Sequence, residues 1–80
     1  MNKPYAKMTP REHIIETVVC RIKCGRASDI HETVEGLAAE GESWARAGHQ
    51  TDSADIYKWY ADSTYEQRER LFRAIERRVR

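Results

Sequence analysis

Apolar residues recur at helical spacing in three stretches that glycines separate. In the first, Ile15, Val18, Val19 and Ile22 share one face of a 3.6-residue repeat, and Gly25 closes the run. Thr9 suits the cap of this helix, Pro10 its first position and Glu12 the third, where a carboxylate reaches back in a capping box. In the second, Ile30, Val34, Leu37, Gly41 and Trp44 alternate spacings of four and three after a cap at Ser28 or Asp29, and Gly48 ends it. In the third, a cap at Thr51 or Asp52 precedes Tyr57, Ala61, Thr64, Leu71, Phe72, Ile75 and Val79, with neither glycine nor proline between. No segment alternates with the period of two that a half-buried strand requires. The pattern predicts an all-α, compact three-helix bundle with helices over about 10–24, 29–47 and 53–79, preceded by a flexible lead at residues 1–8.

Gly36 and Gly41 each cost about 1 kcal/mol of helix propensity relative to alanine. Gly41 lies on the apolar side with Ala38 and Ala45, which predicts a close approach of the next helix rather than a kink.

Lengths do not balance. At 1.5 Å per residue the second helix spans about 28 Å and the third about 42 Å. An antiparallel pair of these would leave Ile75 and Val79 on an overhang, to be covered by the first helix or by a second copy of the chain. Two further faces point to association. Trp59 falls opposite the apolar stripe, in line with Glu66, Arg70, Arg73 and Arg77, and a tryptophan beside arginine is a composition typical of interface hot spots. His13, Thr17, Cys20 and Cys24 form a nearly uncharged face on the first helix, and cysteine is seldom left in water. Five of the seven aromatic residues (Trp44, Tyr57, Trp59, Tyr60 and Tyr65) lie between positions 44 and 65, with Trp44 and Tyr57 placed to enter the core.

The 80 residues make one domain, and a net charge of +1 masks segregation along it. Residues 1–24 are net +3, residues 25–55 net −5 and residues 56–80 net +3. Such blocks suit helices that pair by charge. Arg68 stands in the middle of the third apolar stripe, where an acidic partner such as Glu32 or Glu35 on the second helix would satisfy it; otherwise it would sit at the base of an anion pocket. Arg70, Arg73, Arg77 and Arg80 form an exposed ridge that a nucleic-acid backbone could track, although a pI near 7.8 is low for a dedicated binder.

Candidate chemistry narrows the picture further. Cys20 and Cys24 are four apart, not in the CxxC spacing of zinc sites, and no short Cys/His pair accompanies them; His31 or His49 would have to complete a site. Neither a metal nor another cofactor is expected, and the thiols are expected to be free, as in a reducing compartment. A Cys20 or Cys24 nucleophile would lie far from His13 and lacks an orienting acid, so no enzyme activity is expected. No run approaches the roughly 20 apolar residues of a membrane span, and Met1 to Tyr5 lack the apolar segment of a secretory signal. A cytoplasmic protein is expected.

The stretch from Leu37 to Ala61 resembles one tetratricopeptide hairpin. Leu37, Gly41, Trp44 and Gly48 match the first helix of that repeat, and Ala54, Tyr57 and Ala61 the second. Glu40 stands where the family prefers leucine, the loop is one residue longer, and no second repeat follows, so the resemblance implies hairpin packing and not peptide binding.

Together these features lead to the expectation of a small non-enzymatic helical interaction protein. It would act as a regulator or inhibitor of the kind mobile elements carry, self-associating as a dimer and occluding or bridging a larger protein through Trp59, Tyr60, Tyr65, Arg68, Arg70, Arg73 and Arg77. The alternative is a nucleic-acid-binding regulator using Arg70, Arg73, Arg77 and Arg80.

Overall fold

The computed structural model describes residues 8–80; most of the expected flexible lead (residues 1–7) lies outside the described residues. Four helices, α1 (Pro10–Lys23), α2 (Ile30–Arg46), α3 (Asp52–Asp62) and α4 (Tyr65–Val79), follow in order, and there is no strand among the described residues. Their maximum extent is 37 Å.

The caps follow from the sequence. Thr9 and Glu12 form the capping box of α1, Asp29 accepts the Glu32 amide hydrogen bond at the start of α2, and Thr51 accepts that of Ala54 at the start of α3. Gly25 and Gly48, just past α1 and α2, take φ values of +78° and +84°, a region that favours glycine.

The long third helix expected over 53–79 is divided in two. Asp62 is the last residue of α3, and Thr64 caps α4. The Thr64 hydroxyl accepts from the Gln67 amide while the Gln67 side chain accepts from the Thr64 amide, a second capping box. On the other side of the break, the Ser63 hydroxyl donates to the Trp59 carbonyl at 2.7 Å. Thr64, expected on the apolar stripe, is thus an exposed cap, and Ala61 is exposed as well.

Because of the elbow, α4 turns back over α1 instead of overhanging. Ile75 and Leu71 are completely buried, Phe72 nearly so, and Val79 packs partly against the same core. Arg78 reinforces the α1–α4 pair with a two-pronged ion pair to Glu16 at 2.8 and 3.2 Å. Arg78 also holds the Glu16 carboxyl below its ordinary range, chiefly by that hydrogen bond. No second copy is needed to cover Ile75.

The core is one cluster built from Ile14, Ile15, Val18 and Val19 of α1, Val34, Leu37 and Ala38 of α2, Ile56 and Tyr60 of α3, and Leu71, Phe72 and Ile75 of α4. The most extensive helix pair is α2–α3. It is antiparallel, since Gly41 faces Ser53 and Tyr57 while Glu35, earlier in α2, meets Tyr60, later in α3. A Cβ on Gly41 would collide with the Ser53 carbonyl and lie 2.8 Å from the Tyr57 Cβ, so the glycine serves close packing, as expected.

Two placements differ from the expected core. Trp44 is 44% exposed, its indole meeting the His49 ring edge-on at 5.3 Å. The buried positions of α2 stop at Gly41, and α4 meets that helix at its opposite end, where His31 lies 4.0 Å from the Phe72 ring. On α1, His13 is buried and Thr17 half-buried, but Cys20 and Cys24 are exposed; the uncharged face is covered over its first half only.

Candidate docking surface

The Ser63–Thr64 elbow decides which of the sequence's candidate residues reach solvent. Tyr60, in the last turn of α3, is buried, and its hydroxyl donates to a Glu35 carboxylate oxygen at 2.6 Å. Arg68, one turn into α4, donates to the Tyr60 carbonyl at 2.8 Å and lays its guanidinium 4.2 Å from the centre of the Tyr60 ring. The acidic partner expected for Arg68 is therefore reached through Tyr60: the ring lies between the arginine and Glu35. The Arg68 Nε is buried without a partner, so the side chain is held by its terminal nitrogen and by stacking. Tyr60, buried, and Arg68, half-buried, brace the elbow from within.

Burial, and secondly the hydrogen bond to Glu35, push the Tyr60 phenol up from 10.0 to about 12. The unfolded chain loses this proton first, so the native state binds more protons between those values and stability falls as pH climbs through that window. Alkaline unfolding followed by circular dichroism should show this fall, and Tyr60→Phe should remove part of it while lowering stability at neutral pH.

Trp59, expected to point outward, is half-buried against the core. The elbow brings it beside α1 and α4, where Arg11, Trp59, Gln67 and Arg70 line one hollow. Tyr65, the first residue of α4, is 78% exposed and lines a second hollow with Glu66, Glu69, Arg70 and Arg73. Arg70 belongs to both.

The six arginines of α4 and its end divide into two groups. Arg68 is bound at the elbow, Arg78 to Glu16, and Arg80 loosely to Glu76 at 3.7 Å. Arg70, Arg73 and Arg77 are exposed and form no ion pair among the described residues. They recur every three or four residues, so their guanidinium groups make one row along α4, with Glu66 in line at its start and Tyr65 to one side, sharing a hollow with Arg70 and Arg73.

The chain matches no protein-family model, no curated protein and no solved structure. The chemistry of the surface must therefore be read from the row itself. A guanidinium is a permanent, planar, two-pronged donor suited to carboxylate or phosphate. Glu66 and Glu69 share the rim with Arg70 and Arg73. A strand of uniform negative charge would meet repulsion there, whereas a polypeptide with acids separated by other side chains would not. Arg11, Gln67 and Glu69 are additions to the candidate set. Arg11 was hidden because it comes from the far end of the sequence, and Gln67 because a cap was needed to bring it there. Among the described residues no three Cys, His, Asp or Glu side chains gather as a metal site, and no helix is long and apolar enough to cross a membrane.

Proposed function

We propose that this protein is a non-enzymatic, cytoplasmic helical docking module that regulates or inhibits a larger protein by covering an acidic segment of it with the Tyr65, Arg70, Arg73 and Arg77 face of α4. The observation that carries this reading is the division of the arginines: Arg68 and Arg78 are bound to other helices and Arg80 only loosely to Glu76, while Arg70, Arg73 and Arg77, in one row, form no ion pair among the described residues. An exposed tyrosine beside the row, in the hollow it shares with Arg70 and Arg73, adds flat amphipathic area of the sort that anchors interfaces. The interspersed Glu66 and Glu69 favour a mixed-charge polypeptide over a nucleic acid, the second reading, which would use Arg70, Arg73, Arg77 and Arg80.

One experiment separates the two. A labelled acidic peptide with spaced glutamates and a short DNA duplex are titrated with the protein over a range of salt concentrations, by fluorescence anisotropy. The peptide should bind with modest salt dependence, and Arg73→Glu with Arg77→Glu should weaken it at least tenfold with helical circular dichroism retained. Tight duplex binding with a steep logarithmic loss in salt would transfer the proposal to nucleic acid. Binding of neither probe would remove both readings of the row.

Self-association is the remaining part of the proposal: the regulator works as a homodimer. With Ile75 covered within one chain, the support for a dimer shifts from the α4 overhang to the exposed turn of α1 that carries Cys20 and Cys24.

A further inference from the structure

The two cysteines sit at the end of α1, both exposed and both free, with their sulfurs 3.9 Å apart. That separation is nearly twice the roughly 2.05 Å of a disulfide bond. It agrees instead with the spacing of two thiolates on one tetrahedral ion, for which zinc–sulfur bonds of about 2.3 Å give a sulfur-to-sulfur distance of about 3.8 Å. The pair is thus set at the bite of a soft metal ion without movement of the helix.

One chain supplies only two ligands. Glu16, one turn before Cys20, has both carboxylate oxygens on Arg78, and His13, two turns before Cys20, is buried. Beyond Cys24 the helix has ended, no third Cys, His, Asp or Glu joins the pair among the described residues, and residues 1–7 include none of these types. A structural zinc site takes four ligands, so the remaining two must come from outside the chain.

We infer that Cys20 and Cys24 form half of a four-thiolate zinc site, completed by the same two cysteines of a second copy across a two-fold axis. An isologous contact supplies an identical pair by symmetry. Each ion bound releases four thiol protons and leaves a centre of net charge −2. Arg21 and Lys23, the basic residues of the last turn of α1, flank the cysteines on the helix surface and complement that charge. Without the ion, the same bases repel one another across the axis, so association requires zinc. The inference deepens the dimer reading and shares no residue with the arginine row of α4, so either can fail alone.

The test is light scattering on a gel-filtration column with reductant present, across a titration of zinc chloride into the metal-free chain. The apparent mass should double from 9.4 kDa, saturating at one zinc per two chains, and a chelator should reverse it. Cobalt(II) in place of zinc should show the ligand-field bands of a tetrahedral thiolate site. Cys20→Ser and Cys24→Ser should each abolish the doubling, with an unchanged thermal melt showing that the exposed positions leave the fold intact. A dimer that forms equally without metal would overturn the zinc site while keeping the dimer. A monomer at all zinc concentrations, zinc bound at one per monomer, or doubling that survives both serine variants would also overturn it.

Discussion

Gly41→Ala is expected to lower stability by about 3 kcal/mol or more, at the upper end of what overpacking a closed contact costs. The added methyl would meet the Ser53 carbonyl and the Tyr57 Cβ, both parts of α3 near the backbone, so no flexible side-chain end can swing aside. Relief requires α2 and α3 to separate along the most extensive helix pair in the fold. In a domain of this size each kcal/mol shifts the melting temperature by about 4–8 °C. Gly36→Ala provides the contrast on the same helix: nothing lies within 4 Å of its added Cβ. There the gain in helix propensity should stabilise by about 0.5–1 kcal/mol. Thermal melts of the two variants should move in opposite directions. Equal shifts of either sign would mean that α2 and α3 do not touch at Gly41.

Ile75→Ala should cost about 2–5 kcal/mol, the range for truncating a fully buried aliphatic side chain. Ile75 has no exposed surface, because α4 lies back against α1. In a continuous helix over 53–79 the same residue would lie on a projecting end, and its truncation would cost little. Urea unfolding of Ile75→Ala beside Val79→Ala therefore tests the elbow directly. Val79 is only partly buried and should give the smaller loss. Equal, small losses at both positions would restore the straight helix. Loss of the Arg78–Glu16 pair contributes little to this comparison, since both side chains are substantially solvated.

Much of this architecture is legible along the chain. Thr9 with Glu12, Asp29 and Thr51 mark three of the four helix starts, and Gly25 and Gly48 mark two of the ends. These signals are local: a hydroxyl or carboxylate three residues before an amide, or a residue able to take positive φ. The buried stripes of α1 and α2 follow from period in part: Ile15, Val18, Val19, Val34, Leu37 and Gly41 are buried as expected, while Ile14 and His13 are buried outside the expected stripe and Trp44 is exposed. The fourth start had the same kind of signal. Thr64 and Gln67 have capping-box spacing, but they sit inside an unbroken apolar period without glycine or proline, where the same pair also fits the interior of a helix.

The candidate site was legible by residue type and not by role. The sequence shows that α4 is rich in arginine, with aromatics clustered just before it. It does not show that Arg68 stacks on Tyr60, that Arg78 reaches Glu16, or that Arg70, Arg73 and Arg77 are left over. Trp59 and the cysteines illustrate the same limit in opposite directions. A wheel drawn on a straight helix turns Trp59 outward, while the elbow folds it inward; the wheel on α1 sets Cys20 and Cys24 on a face with buried His13, yet they remain exposed.

What the sequence alone determined is therefore the helical class, three helix starts, the close contact at Gly41 and the positive character of the last helix, all set by interactions spanning about one helical turn. The tertiary structure decided the break at Ser63–Thr64, the burial of Ile75 under α1, and which arginines form no ion pair among the described residues. Those depend on a balance between partners far apart in the chain. Ending a helix forgoes hydrogen bonds that only the burial of Leu71, Phe72 and Ile75 against another helix repays, and no local pattern records where that helix will lie.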